Sequence, residues 1–231
     1  MKILLLTQGS QGVMSLRNLF AMGVCHSNVL VRICAGVENA PLVSFLEYIR
    51  IPYEIVDNKY DLDKSLCYEN LKDHIMLSVS WRYKISINLI NSVKLAINLH
   101  PGLLPEYRGC YSTPWSIING EQFCGYTFHL ISKDYDTGDI VLKKSFEITE
   151  YDTAFNLNYK IMNDAINSLP LAISNGLDGK TFPQKEGGKY YKKQFPYDGI
   201  IPKNADPILR NRIIRATYFP PHQPAQEEKD N

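Results

Sequence analysis

The feature that most constrains the fold is a series of short apolar runs, each closed by turn residues and followed by a stretch with helical spacing. Lys2-Ile-Leu-Leu-Leu-Thr7 is the first, Gln8 to Gly12 closes it, and Leu16, Leu19 and Phe20 then recur one helical turn apart. Val29 to Val37 reads as a second strand, Leu42 to Tyr48 as a helix, and Tyr53 to Val56, Ile75 to Val79 and Val93 to Leu99 as further strands. Strands that are apolar on both faces and alternate with helices specify an α/β fold with a mostly parallel sheet. Ligands of such sheets bind beyond the carboxyl ends of the strands.

The later part of the chain changes character. Tyr126 to Ile131 and Ile140-Val-Leu142 read as two strands joined by a polar loop carrying Asp134, Asp136 and Asp139. One helix is expected from about Thr153 to Asn175, capped by Asp152 or Thr153 and ended by Gly176. Residues 177–231 hold four glycines, the aromatic residues Tyr190, Tyr191, Phe195 and Tyr197, and five late prolines. The expected division is therefore 1–176 as a catalytic domain and 177–231 as a small appended module containing a β-hairpin, with residues 226–231 frayed.

Charge and cysteine content narrow the function classes. Twenty-five Lys plus Arg against 24 Asp plus Glu leave a formal charge of +1, which removes the bulk electrostatic argument for gripping nucleic acid or an anionic membrane. Ile3 to Leu6, the longest apolar run near the start, is far too short for a spanning helix or a signal-peptide core, so a cytoplasmic location without membrane contact is expected. Five cysteines without a CxxC pair or a His at zinc-like spacing are expected to be reduced thiols, with no metal.

The stretch that carries chemistry is Ala96-Ile-Asn-Leu-His-Pro-Gly-Leu-Leu-Pro-Glu-Tyr-Arg-Gly109. An apolar strand delivers Asn98 and His100, two residues apart and so on one side of the pleat, to the ligand-binding end of the sheet, and Pro101 stops it. Taken alone, an Asn-x-His at a strand end is equally an ordinary polar pair satisfied by backbone groups. Cys110 lies close by but has no base at a recognisable spacing, which leaves it an ordinary thiol. Gln8 to Gly12 has only Gly9 and Gly12, short of a dinucleotide fingerprint, although helix N-terminal amides near Gln8 and Ser10 can meet a phosphate.

Asn98-Leu-His-Pro-Gly-Leu-Leu-Pro105, then Tyr107-Arg-Gly109, then Gly125-Tyr-Thr-Phe-His129 and Asp136-Thr-Gly138 follow one another in the order of a known pattern. In this the sequence resembles the folate-dependent formyltransferases, with Pro114-Trp115 and Ile118-Asn-Gly-Glu121 adding to the likeness. The resemblance covers nearly all of residues 1–176 and implies a Rossmann-like, mostly parallel sheet. It also implies N-formyltransferase activity with 10-formyltetrahydrofolate as co-substrate and the trio Asn98, His100 and Asp136 as catalytic residues. When a primary amine attacks a formyl group, an oxygen becomes negative and a nitrogen must lose a proton. Asn98 and a protonated His100 can donate to the oxygen, while Asp136 holds the imidazole or accepts the amine proton through water. No metal is needed. By the same resemblance the pterin of the donor meets the loop from Ser80 to Ile85 and the loop from Ile131 to Asp136, with Ser80, Trp81, Arg82, Tyr83, Ile131 and Asp134 as its candidate contacts.

The acceptor divides the subfamilies. Residues 177–231 carry ten basic and seven acidic side chains, too few and too balanced for a tRNA-binding domain. The run from Ile213 to Ala225 resembles the end of the sugar N-formyltransferases, most of all the small enzymes acting on dTDP-4-amino-4,6-dideoxyglucose, which serve O-antigen or other surface polysaccharide synthesis. That likeness makes Gln8, Ser10, Gly102, Tyr107, Arg108, Arg215, Tyr218 and Phe219 the candidate acceptor contacts and a homodimer the expected assembly. A methionyl-tRNA or phosphoribosylglycinamide formyltransferase, or a folate- or nucleotide-binding module without turnover, stands as the alternative.

Overall fold

The structure, a computed structural model, describes residues 1–67 and 69–229; the last two residues of the segment expected to fray, Asp230 and Asn231, lie outside them. In chain order the strands are β1 (Lys2–Thr7), β2 (Val29–Cys34), β3 (Tyr53–Val56), β4 (His74–Val79), β5 (Leu95–His100), β6 (Arg108–Gly109), β7 (Phe123–Leu130), β8 (Ile140–Glu147), β9 (Tyr190–Tyr191), β10 (Ile200–Ile201) and β11 (Gln226–Glu227). The helices are α1 (Gly9–Ala21), α2 (Ala40–Tyr48), α3 (Lys59–Ser65), α4 (Ile87–Ser92), α5 (Ser112–Asn119), α6 (Ala154–Asn167), α7 (Leu169–Leu177) and α8 (Pro207–Thr217). A seven-stranded sheet runs in the order β3-β2-β1-β4-β5-β7-β8, and the pairs β3–β2, β2–β1, β1–β4 and β4–β5 are parallel. None of these helices among the described residues is long and apolar enough to cross a membrane.

The chain forms two compact units, each assembled from separate segments. The first comprises Met1–His100, Phe128–Leu142 and Ala165–Pro183, and the second Pro101–Thr127, Lys143–Asp164 and Gln184–Asn231. The expected boundary at residue 176 does not coincide with them. Its physical reason lies in the aromatic residues of the tail, which find their partners early in the chain. Tyr191 stacks on Tyr107 with ring centroids 5.3 Å apart, Trp115 packs on Tyr191 at 5.1 Å, and Phe195 meets the edge of Tyr111 at 5.2 Å. Gly109 permits this approach, because a Cβ there would lie 2.2 Å from the Tyr191 carbonyl oxygen. The tail strands pair in parallel, β9 with β6 and β10 with β11, so the described residues of the tail contain no hairpin. Gln226 and Glu227, expected to be frayed, form β11. The helix α8 breaks the glycine and proline pattern of the tail; Asp206 caps it by accepting from the Leu209 N–H at 2.8 Å, and Pro207 occupies its first turn.

Within the first unit the alternation of side chains sets up two faces. Leu4, Leu6, Met76 and Ala96 share one apolar cluster with Leu62 and Leu66 from the α3 region and Leu89 of α4. Leu95 and Ile97 point the other way, to α7, where Gly176 leaves room for them: a Cβ on it would come within 2.9 Å of Leu95 and 3.0 Å of Ile97. Gly176 is thus a packing residue rather than a helix terminator, and Gly179, at φ +65°, follows the true end of α7. The single helix expected over 153–175 is two, divided at Ser168, because Pro170 lacks the N–H that would bind the Ile166 carbonyl and its ring crowds that group.

Candidate active site

The site begins with strand alternation. Ala96 belongs to the apolar cluster on the α3 and α4 face, so Asn98 and His100, two and four residues on, project from that same face at the carboxyl end of β5. Ser78 of β4 stands directly across the ladder from Asn98, as Met76 stands across from Ala96. The Ser78 hydroxyl donates to Asn98 Oδ1 at 2.6 Å. On the far side of Asn98, its amide nitrogen lies 3.1 Å from His129 Nε2, on β7. A polar row of three side chains therefore continues an otherwise apolar sheet face.

The third expected residue is brought in by a constrained loop. Asp136 has a left-handed backbone, φ +55°, and its carboxyl reaches both histidines: Oδ2 is 3.6 Å from His100 Nδ1 and Oδ1 is 3.4 Å from His129 Nε2. Both rings are buried, and only 11% of the Asp136 side chain is exposed. Burial of this kind strengthens every charge interaction inside the cluster relative to the same pair in water. Two residues further on, Gly138 closes the loop against β7, since a Cβ at that position would fall 1.8 Å from the Leu130 carbonyl oxygen. Asp-Thr-Gly is thereby explained: the glycine allows the close approach that turns the aspartate inward. Asp134 and Asp139 are exposed.

His129 is a site residue that sequence reasoning treated only as part of a strand. Its signal was present in Phe128-His-Leu-Ile131, where a polar ring interrupts a buried apolar run.

The expected donor-side residues gather on the same face. Trp81, Tyr83 and Ile131 all pack against the apolar cluster beneath Leu4, Leu6 and Met76, Trp81 meets Tyr83 edge to face at 5.5 Å, and the Lys84 ammonium lies 5.6 Å from the Tyr135 ring, linking the two loops. Ser80 turns the chain with φ +59°, and the indole N–H of Trp81 is buried without a partner. Arg82 is engaged elsewhere: it donates to Gln8 Oε1 at 3.0 and 2.7 Å and forms an ion pair with Glu38. Gln8 thus spends its carbonyl on Arg82, and Gly12 is explained by packing, a Cβ there lying 2.6 Å from Leu42. Ser10 is exposed at the start of α1, and Asp134 contributes its backbone carbonyl to Ser132 and Thr137.

Among the acceptor candidates the second unit separates structural residues from available ones. Tyr107 is buried, donates to Glu121 at 2.6 Å and accepts from Asn119 at 3.0 Å; burial pushes its hydroxyl far above the ordinary tyrosine range. Gly102 accepts from Thr127 at 2.7 Å through its carbonyl. Arg215 donates to the carbonyl oxygens of Thr149 and Asp152 at 3.1 and 2.8 Å and to Asn211 at 2.9 Å, so it ties the chain before α6 to α8. Each of the three has hydrogen-bond partners within the protein. Arg108 binds Gln184 at 3.2 Å and keeps a buried Nε without a partner. Phe219, which meets Phe155 edge to face at 5.7 Å, lines a cavity of about 590 Å³ with Tyr111, Phe195, His222 and Gln223. Tyr218 is half-exposed and gives its carbonyl to the Phe155 N–H.

Fold and cluster together define an α/β protein of the Rossmann-like class with a buried polar site at the carboxyl end of a central strand. Residues 57–173 match the family model for formyl transferases, just over half of the chain, and the chain belongs to that family. The GDP-perosamine N-formyltransferases of Brucella melitensis and Brucella abortus are 35% identical over 160 residues, 68% of this chain and 61% of theirs. The chain thus spans about three fifths of the length of these relatives. A sugar N-formyltransferase from a Shewanella species superimposes with a TM-score of 0.79 at 21% identity, covering 99% of this chain and 93% of that one. A 4-N formyltransferase from Francisella tularensis gives 0.78 at 20% identity, covering 98% and 92%. At such identities the two structures speak for the fold.

Two substitutions test this geometry. Gly138→Ala is expected to displace the Asp136 loop and lower turnover by at least about 100-fold while circular dichroism remains native, as a misplaced reacting group costs that much. Arg215→Ala is expected to lower the melting temperature by roughly 2–8 °C, the effect of about 1–2 kcal/mol in a chain of this size, with little change in KM for any substrate.

Proposed function

We propose that this chain transfers the formyl group of 10-formyltetrahydrofolate to the amine of a nucleotide-linked amino-deoxysugar, in the cytoplasm and as a homodimer, for surface polysaccharide synthesis. The observation that carries the reading is the cluster at the end of β5 in which buried His100 and His129 meet the partly buried Asn98 and Asp136. An amine attacking a formyl carbon needs a donor for the oxygen that gains charge and an acceptor for the proton that leaves, and this cluster holds both within one small volume. In this reading Asn98 Nδ2 donates to the formyl oxygen, the His100 ring shares that role, and Asp136 orients His100 and draws the proton from the amine directly or through water. The folate supplies the formyl group: as the tetrahedral intermediate collapses, the bond from its N10 to the formyl carbon breaks and N10 takes up the proton the amine gave, releasing tetrahydrofolate and the N-formyl sugar. Trp81, Tyr83 and Ile131 fit the flat ring system of that donor, offering an apolar floor and, in the unpartnered Trp81 indole N–H, a hydrogen-bond donor at its edge.

For the acceptor, the cavity bounded by Tyr111, Phe195, Phe219 and His222 is the proposed nucleotide site, since aromatic walls suit a base and about 590 Å³ lies within the range of small-ligand pockets. Arg108, with its unpartnered Nε, is the proposed phosphate contact. Exposed Ile208, Ile214 and Tyr218 supply apolar surface for the proposed dimer. The finer choice is a 4-amino-4,6-dideoxy sugar, the dTDP-linked glucose form suggested by the tail and a GDP-linked form suggested by the curated relatives.

Mass analysis of products after incubation with 10-formyltetrahydrofolate and, separately, dTDP- and GDP-linked 4-amino sugars, charged initiator tRNA and glycinamide ribonucleotide tests the reading. One formyl group should be gained by an amino-sugar nucleotide and by neither of the other acceptors. Asn98→Ala should fold normally and lose on the order of 100-fold to 1000-fold in kcat, the cost of one oxyanion donor. Formylation of the tRNA or the ribonucleotide alone would refute the sugar assignment.

A further inference from the structure

We infer that His129 is a positioning residue whose Nε2 lone pair fixes the side-chain amide of Asn98 with its N–H groups toward the reacting oxygen. The argument starts from a group whose hydrogen-bonding sense cannot change. The Leu130 carbonyl oxygen lies 2.8 Å from His129 Nδ1 and can only accept, so Nδ1 carries a hydrogen. In the neutral ring Nε2 then bears the lone pair. Facing it at 3.1 Å is the Asn98 amide, which must present nitrogen rather than oxygen to be accepted. Asn98 Oδ1 therefore faces Ser78, whose hydroxyl donates to it at 2.6 Å. The sense of all three bonds follows from one backbone carbonyl: Ser78 gives to Asn98, Asn98 gives to His129, and His129 gives to Leu130.

The arrangement matters because a primary amide rotated by half a turn looks the same in shape and opposite in polarity. One hydrogen of Asn98 Nδ2 is held by His129, and the second is left for the substrate oxygen. With the amide reversed, a carbonyl would face that oxygen and repel the charge forming there. Asp136 Oδ1, 3.4 Å from the same His129 nitrogen, competes for the ring, since it would attract an N–H at that position. Nε2 can serve only one of the two, and with its lone pair it serves Asn98. His129 thus selects the catalytic polarity of Asn98 without touching the substrate. This role rests on the formyl-transfer reading.

Two independent arms test it. In the first, the full-length protein with 15N-labelled histidine is examined by NMR at about pH 8, above the ordinary histidine range. The His129 ring should show a protonated Nδ1 and an unprotonated Nε2, with scalar coupling across the hydrogen bond to the Asn98 amide; the opposite tautomer overturns the inference and leaves the transferase reading standing. In the second, His129→Leu should lower kcat by about 10-fold to 100-fold with both KM values within about 3-fold, and His129→Gln, which keeps an acceptor, should recover most of that loss. In the Asn98→Ala background His129→Leu should cost less than about 3-fold more, because both changes act through one amide. Fully multiplicative losses, or equal losses in the Leu and Gln variants, would show that His129 only supports the fold. Absence of wild-type turnover on every amino-sugar nucleotide would remove the reaction, and this role with it.

Discussion

The site depends on the cost of burying polar groups inside a parallel sheet. Ser78, Asn98 and His129 stand in a row on a face that is elsewhere apolar, and Asp136 and His100 adjoin them. Each such group left without a partner would cost on the order of 1–3 kcal/mol or more. Largely withdrawn from water, they bond to one another and, at His129, to the backbone, which narrows their geometry. A flexible surface cluster of the same residues would have many arrangements. Rigid strands at fixed spacing leave one, and a site that stabilises developing charge needs that rigidity before the substrate arrives.

The strands and the stretch that places Asn98 and His100 were legible because they depend on local pattern. Apolar runs closed by turn residues located β1 and β3 to the residue, and the period of two put Asn98 and His100 on one side before any neighbour was known. What was not legible depends on distant residues. Nothing in Tyr190-Tyr191 announces that the Tyr191 ring belongs with Tyr107 and Trp115, more than seventy positions earlier, so the module boundary at 176 did not match the compact units. His129 was visible as a polar interruption, but its importance comes from standing beside Asn98, which only the strand order β5-β7 reveals.

Arg215 and Arg82 carry the same lesson from the surface. The family resemblance makes Arg215 an acceptor contact and Arg82 a pterin contact, and within the protein the two backbone carbonyls before α6 accept from the first while Gln8 and Glu38 accept from the second. Family membership is shown by the match over residues 57–173, and both the chemistry at the β5 end and the acceptor belong to the proposed reading. The relatives named for GDP-perosamine match over 61% of their length, and the aromatic cavity of the second unit is where acceptor choice would be made in the proposed reading.

The central claim is that the end of β5 receives a formyl group. The most direct measurement is a crystal structure of the protein with 5-formyltetrahydrofolate, a stable donor analogue. The account predicts its formyl oxygen within hydrogen-bond distance of Asn98 Nδ2, with the pterin against Trp81, Tyr83 and Ile131. A well-ordered analogue whose formyl group lies beyond the reach of Asn98, His100 and Asp136 would contradict it.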